Sequence, residues 1–274
     1  MTRRLLRQAL LAGGALVMLY PLLWMLAASV KPTEEIFGGP GLWPRHPTLD
    51  NYRSGWVALG VGFTTFFGNS LLISSAAVIG NMLSCSMAAY AFARLSFRFR
   101  RLWFAVMLVS IMLPIHVLII PQYTLFHRLG WVNTFLPLIV PKFLGVDGFF
   151  IFLMVQFIRA LPTELDDAAR LDGCGPVQIY LRIILPLMAP VLVTTAVLTF
   201  IWSWDDFLSQ LVYLDDVGHY TVPLALRSFL DSSGESSWGQ MLAMATLSLL
   251  PMLAFFLVFQ RRITEGISTT GLRG

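Results

Sequence analysis

Two groups of residues in this chain of 274 carry spacing that could do chemistry. The first is Trp202, Trp204, Asp205 and Asp206. Indole rings stack on sugar faces and carboxylates accept hydroxyl protons, so the set suits passage of a sugar. It suits equally an interfacial tryptophan belt followed by a solvated acidic loop. Paired acids also serve glycoside hydrolysis, but the sequence has no soluble domain to form a cleft, so that reading is set aside. The second group is Glu164-Leu165-Asp166-Asp167-Ala168-Ala169-Arg170-Leu171-Asp172-Gly173, followed by Ile183-Ile184-Leu185-Pro186. It is polar and helix-coded, yet it lies between long apolar runs. A glycine-rich phosphate loop of the form G-x-x-x-x-G-K-[ST] does not occur, so the chain is not expected to hydrolyse ATP itself. No catalytic residues are assigned. Metal-ligand spacing is absent, and Cys85 and Cys174 fall in segments that are not expected to meet.

The second group predicts helix, tight turn, helix. Thr163 after Pro162 offers a hydroxyl cap, and Glu164, Asp166 and Asp167 place acids in the positive first turn. Thr163 with Asp166 reads as a variant capping box. Gly173 suits a left-handed stop, and Pro176 suits the first turn of a following helix. Ala168 and Ala169 leave one side of the first helix without bulk, while Leu165, Leu171, Val177 and Ile184 supply apolar area. Such a helix is a knob for a socket on a partner. The plain alternative is an ordinary amphipathic loop helix.

The elements that must carry these groups are membrane spans. Hydrophobic residues make up 57% of the chain and charged residues 12%, about half the charged share of a soluble domain, and the mean hydropathy is +0.72. Ala9–Val30 contains 22 residues without a charge, enough to cross a hydrocarbon core of about 30 Å. It exceeds a signal-peptide core and is read as a retained signal anchor. Further windows at Phe63–Ala93, Leu102–Tyr123, Phe135–Ile158, Leu187–Trp204 and Met241–Gln260 give six helices.

Of the 19 basic residues, 13 collect on one side of these windows, which makes both termini and the stretch Arg159–Met188 cytoplasmic. The net charge of +4 is explained by this topology rather than by nucleic acid. Asn69, Asn81, Ser84, Ser86, His116, Lys142 and Asp147 lie in or near the spans, where polar groups face a bundle interior or a wet cavity. The asparagines and serines suit interhelical hydrogen bonds as well as a substrate path. His116 suits either substrate contact or a carbonyl freed by Pro114. Lys142 and Asp147 are read first as a structural pair.

Asp167, Ala168, Ala169, Gly173, Ile183, Leu185 and Pro186 match, at every spacing, the EAA loop of ATP-binding-cassette (ABC) importer permeases, with Asp167 where that family usually has Glu. The chain resembles the carbohydrate-uptake branch of that family, the maltose type, along nearly its whole length. The residues that carry this resemblance include Lys31-Pro32-Thr33, Asn69-Ser70-Leu71, Ala88-Ala89-Tyr90-Ala91-Phe92-Ala93-Arg94, Leu129-Gly130-Trp131-Val132-Asn133-Thr134 and Trp204-Asp205-Asp206-Phe207. In the last string the family often has Asn at the position of Asp205.

The resemblance implies an all-α integral membrane protein with six transmembrane helices and the type I importer fold. Residues 1–274 would be one permease domain, with 159–188 as its coupling loop. It implies a homologous second permease subunit, two copies of an ATP-binding subunit, an extracytoplasmic solute-binding protein and membrane lipid as partners. No cofactor is expected on this chain, and ATP and Mg would sit on the ATPase subunits. The location implied is the bacterial inner membrane. The seven loop residues are the expected ATPase contact. Asn69, Asn81, His116, Trp202, Trp204, Asp205 and Asp206 are the candidate substrate path. The outer loop from about Gln210 to Trp238, which holds Ser232, Ser233, Ser236 and Ser237, would touch the binding protein, and Ser268-Thr269-Thr270-Gly271 the ATPases. The alternatives are a permease for a non-sugar polar solute such as glycerol phosphate, an ion-coupled secondary transporter, or a membrane scaffold.

Overall fold

The computed structural model describes residues 2–38, 41–231 and 237–270. Ser232, Ser233, Ser236 and Gly271 lie outside them. Every regular element among the described residues is helical. In chain order the helices are α1 (Thr2–Ser29), α2 (Thr33–Ile36), α3 (Asp50–Val57), α4 (Phe63–Arg94), α5 (Arg100–Ile111), α6 (Ile115–Arg128), α7 (Leu136–Ile139), α8 (Gly148–Ala160), α9 (Glu164–Leu171), α10 (Pro176–Ile179), α11 (Leu185–Leu187), α12 (Ala189–Trp204), α13 (Leu208–Tyr213), α14 (Val222–Asp231) and α15 (Trp238–Thr270). A 3-10 turn at Val140–Leu144 follows α7, and a π-turn at Tyr180–Ile184 separates α10 from α11.

Among the described residues, four segments are long and apolar enough to cross a membrane: Leu6–Ser29, Phe63–Arg94, Leu136–Ala160 and Trp238–Phe259. The count becomes six if each of two bent pairs is one span: α5 with α6, bent by 103°, and Pro176–Leu187 with α12, bent by 74°. The third span expected over Leu102–Tyr123 is one of these bent pairs, with α5 and α6 meeting at Pro114. Pro114 takes an extended ψ of 135° at the joint; it has no N–H to continue the ladder and disfavours helix in the residue before it. His116 does not repair the break. It is exposed and makes no hydrogen bond among the described residues.

Two compact units divide the chain. The first comprises residues 1–67 and 221–251. In it Ala28 of α1, Ile36 of α2 and Leu242 of α15 form a small core that includes Trp24 and Trp238. Asn51 of α3 donates to the carbonyls of Ser29 and Lys31 at 3.0 and 2.7 Å, tying α3 to the end of α1. The segment expected to be an open outer loop over Gln210–Trp238 contains α13 and α14 instead. In α14, Val222, Ala225 and Phe229 are buried at helical spacing, and that amphipathic stripe is the reason it folds.

The second unit comprises residues 68–220 and 252–274. Its core joins Cys85, Ala89 and Tyr90 of α4, Phe150, Ile151, Met154, Val155 and Ile158 of α8, and Ala169, Ile179, Ile184, Met188 and Val191 of the segment that runs from α9 into α12. The 3-10 turn at Val140–Leu144 packs hard on α4. A Cβ at Gly80 would fall 2.8 Å from the Phe143 ring and 3.0 Å from the Lys142 backbone. Gly80→Val is expected to cost about 1–3 kcal/mol through overpacking, read as a lower melting temperature of the solubilised protein. An unchanged melting temperature would show that the approach is not tight.

Candidate coupling segment and substrate cavity

The structure builds the predicted helix-turn-helix with a different start. Gly173 has φ +84°; its N–H donates to Arg170 O at 3.0 Å and the Cys174 N–H to Ala169 O at 2.9 Å. These two bonds are the Schellman closure, which needs a left-handed residue at this point. Pro176 opens α10, and Gln178 Oε1 accepts the Gly175 N–H at 2.9 Å. The expected Thr163 cap is not made, because Thr163 is itself helical at φ −73° and ψ −22°. Asp166, expected in the capping box, turns inward: Arg94 Nε lies 2.9 Å from its Oδ2, with the two side chains 6% and 4% exposed. Arg170 pairs instead with Asp167 on the surface at 2.9 Å.

Three of the four expected contact hydrophobes point outward: Leu165, Leu171 and Val177 are exposed, Leu171 by 90%. Ile184 is corrected, since it is fully buried in the unit's own core. The alanine pair divides in the same way. Ala168 faces out, whereas Ala169 is 5% exposed and lets α9 sit close against the core. Pro186 is exposed, and Ile183 and Leu185 are half-buried. The π-turn precedes Pro186, with the Leu185 N–H reaching back five residues to Tyr180 O. A proline ring crowds the carbonyl four residues before it, and a widened turn relieves that crowding.

On the same unit lies a cavity of about 380 Å³, in the range of small-molecule sites. Its polar lining is Asn81, Lys142, Thr199, Ser203, Asp205, Asp206 and Gln210, with Trp202 and Phe150 on the apolar side. A smaller cavity of about 180 Å³ shares Ile115, Leu138, Lys142 and Asp206 with it. Asn81 is fully buried and donates to Asp147 Oδ2 at 2.6 Å and Thr199 Oγ1 at 3.2 Å. Lys142 Nζ donates to the same Asp147 oxygen at 2.9 Å. Asp147 stands at the N-cap position of α8 without capping it, because its carboxylate is turned to these two donors. The network ties α4, the Val140–Asp147 stretch and α12 together.

Of the seven path candidates, the structure brings Asn81, Trp202, Asp205 and Asp206 to this cavity and leaves the other three away from its wall. Asn69 donates to Gly218 O and Tyr220 O at 3.0 and 2.9 Å, a structural role. Trp204 is 3% exposed and stacks on Phe200. The Trp202 ring is exposed and braced by Phe149 and Phe150. Asp206 Oδ1 accepts the Ser209 N–H at 3.0 Å, so one oxygen is engaged at the start of α13. Tyr213, at the end of α13, has its phenol pushed above the usual 10, first by burial and then by the charge of Asp206. Its hydroxyl donates to Gln122 Oε1 at 3.3 Å.

Thr199 and Gln210 were not singled out by sequence. A threonine within an apolar run and a glutamine beyond it carry no local signal. Asn133 was quoted only as part of a string, yet it takes φ +61° and its Oδ1 accepts the N–H groups of Asp215 and Asp216 at 3.1 and 3.0 Å.

The profile of the family described as binding-protein-dependent transport system inner membrane component matches residues 80–269, a stretch that holds both the coupling segment and the polar groups of the cavity. The chain belongs to that family. The permease is 35% identical to the arabinooligosaccharides transport system permease protein AraQ of Halalkalibacterium halodurans, over 95% of its own length and 93% of that protein. It is also 35% identical to the trehalose transport system permease protein SugB of Mycobacterium tuberculosis, over 97% and 95%. It shares its fold with a chain from the crystal structure of a bacterial ABC transporter involved in the import of the acidic polysaccharide alginate, with a TM-score of 0.81 over 95% and 96% of the two chains at 20% identity. The permease is thus a multi-pass, all-helical membrane protein with an ABC importer permease fold.

Proposed function

We infer that this permease is the membrane-spanning subunit of an ATP-driven, binding-protein-dependent sugar importer. The observation that carries the reading is its similarity, over nearly the full length of both chains, to permeases named for arabinooligosaccharide and trehalose transport. The cavity supports it: hydroxyl-accepting carboxylates at Asp205 and Asp206, amides at Asn81 and Gln210, and a braced indole at Trp202 are the groups that recognise a polyhydroxylated solute.

The segment from Asp167 to Pro186 is the contact with the ATPase. Leu165, Leu171 and Val177 stand outside the permease's own core, and apolar area of this kind is what a socket on a second protein buries. ATP and Mg bind the ATPase subunits, not this chain. Two ATPase copies, a second homologous permease subunit and an extracytoplasmic binding protein complete the assembly. The asymmetry of the basic residues supports a cytoplasmic location for both termini and this segment, and the family resemblance supports a bacterial inner membrane as the site of the chain. Nucleotide-driven closure of the ATPases moves the coupling segments, and the cavity alternates between the two sides.

Proteoliposomes holding the complete assembly decide between this reading and an ion-coupled carrier. Trehalose or arabinooligosaccharide uptake is expected to require ATP inside and binding protein outside, and to vanish without either. Uptake driven by a sodium or proton gradient without ATP would overturn it.

A further inference from the structure

Ser86, Tyr90 and Arg94 recur at every fourth residue of α4, so they share one face of that helix. Each holds a different piece of the coupling segment. Ser86 Oγ lies 2.7 Å from the Tyr180 hydroxyl in the π-turn. Tyr90 donates to Pro176 O at 3.0 Å, with its ring 5.3 Å from that of Tyr180. Arg94 donates to Leu161 O at 2.8 Å and pairs with Asp166. Among the described residues Arg94 is the one ion-pair partner of Asp166, whose Oδ1 has no hydrogen bond. Removing Arg94 alone would leave a buried carboxylate without its counter-ion, which costs more than losing one partner of a surface pair.

The chain itself leaves the coupling segment in two directions, forward through the π-turn, Pro186 and the 74° bend into α12, and backward through residues 161–163 into α8, whose Phe150 lines the cavity. Helix α4 runs on unbroken from Arg94 through the three grips to Asn81, a distance of about 20 Å at about 1.5 Å per residue. There Asn81 holds both Asp147 and Thr199 at the cavity wall.

We propose that α4 is the element that carries displacement of the coupling segment to the cavity, with Arg94, Tyr90 and Ser86 as the positioning residues that lock the two together. This rests on the reading of the segment as the ATPase contact and adds the route by which its movement arrives.

The test uses the assembled complex in a Cys174→Ser background with Ser203→Cys as a reporter at the cavity, labelled by a polar maleimide with and without trapping by ATP and vanadate. In the parent, trapping is expected to change the labelling rate at least fivefold. In Arg94→Gln, and separately in Ser86→Ala with Tyr90→Phe, the change is expected to fall below twofold while the ATPase still copurifies; Arg94→Lys recovers part of it. A merely structural role would lower yield and leave the nucleotide response intact. If Arg94→Gln does not reach the membrane, the mild double variant decides alone, because it buries no unpaired charge. A nucleotide response of at least fivefold in both overturns the proposal. Gly173→Asp separates the two levels. A response that survives in Gly173→Asp overturns the ATPase-contact reading, and this proposal with it. A response lost there but kept in the α4 variants overturns the role of α4 alone.

Discussion

Replacing Gly173 by aspartate is expected to leave the permease in the membrane at close to normal abundance while abolishing substrate-stimulated ATP hydrolysis. A Cβ at this position meets nothing within 4 Å, so the fold loses no packing. What it loses is the ease of a φ of +84°, a strain on the order of 1 kcal/mol for a residue with a side chain. Aspartate tolerates the left-handed region better than most residues. The larger effect is on the outward surface: a carboxylate arrives beside Leu171, which is 90% exposed and fits a partner's socket only if the socket can exclude water. Hydrolysis measured on the reconstituted complex, with binding protein and sugar added, should fall by at least tenfold toward the unstimulated rate. Unchanged stimulation would show that α9 and α10 do not contact the ATPase. Gly173→Ala separates backbone strain from added charge and should retain most of the stimulation.

The second large effect is expected at Asp147. Asp147→Ala removes the one acceptor that Asn81 and Lys142 share, leaving a fully buried amide short of a partner and an ammonium without its acid. The ion pair is about a quarter to a third exposed, so water offsets part of the loss, and a destabilisation of about 2 kcal/mol is the expected scale. Uptake should fall by at least tenfold, because Asn81, Lys142 and Thr199 form one wall of the cavity. The double variant Lys142→Met, Asp147→Ala removes both charges and should recover stability more than uptake. Thermal unfolding in detergent together with sugar uptake in vesicles reads both quantities. A single variant that melts and transports like the parent would mean that the network does not shape the cavity.

Much of the coupling segment was legible in the sequence because its signals are local. A helix stop needs a residue that tolerates positive φ, and Gly173 supplies it; a helix start favours proline, and Pro176 supplies it. The reading failed where a side chain had two possible partners at different sequence distances. Asp166 is three residues from Thr163, which suggests a cap, but its partner is Arg94 of α4, and no pattern near Asp166 announces it. Ala168 and Ala169 look alike in sequence, and only packing assigns one to the outside and the other to the core. Pro114 was read as a flaw in a span rather than as the corner of a 103° bend, because a proline inside an apolar run is compatible with either.

The sequence by itself determined that the chain is a multi-pass helical membrane protein with a polar helix-turn-helix between two apolar runs, because hydropathy and turn chemistry are properties of residues and their near neighbours. Tertiary structure decided which polar residues meet. The pair Lys142–Asp147 is close in sequence and was legible there, but Asn81 and Thr199 lie on two other segments and join it only when α4 and α12 pack against that stretch. Trp202 and Trp204 are two residues apart, and helix rotation turns one toward the cavity and the other into the core. In an apolar span a polar residue has no local pattern to place it, so its partner is fixed by the fold alone.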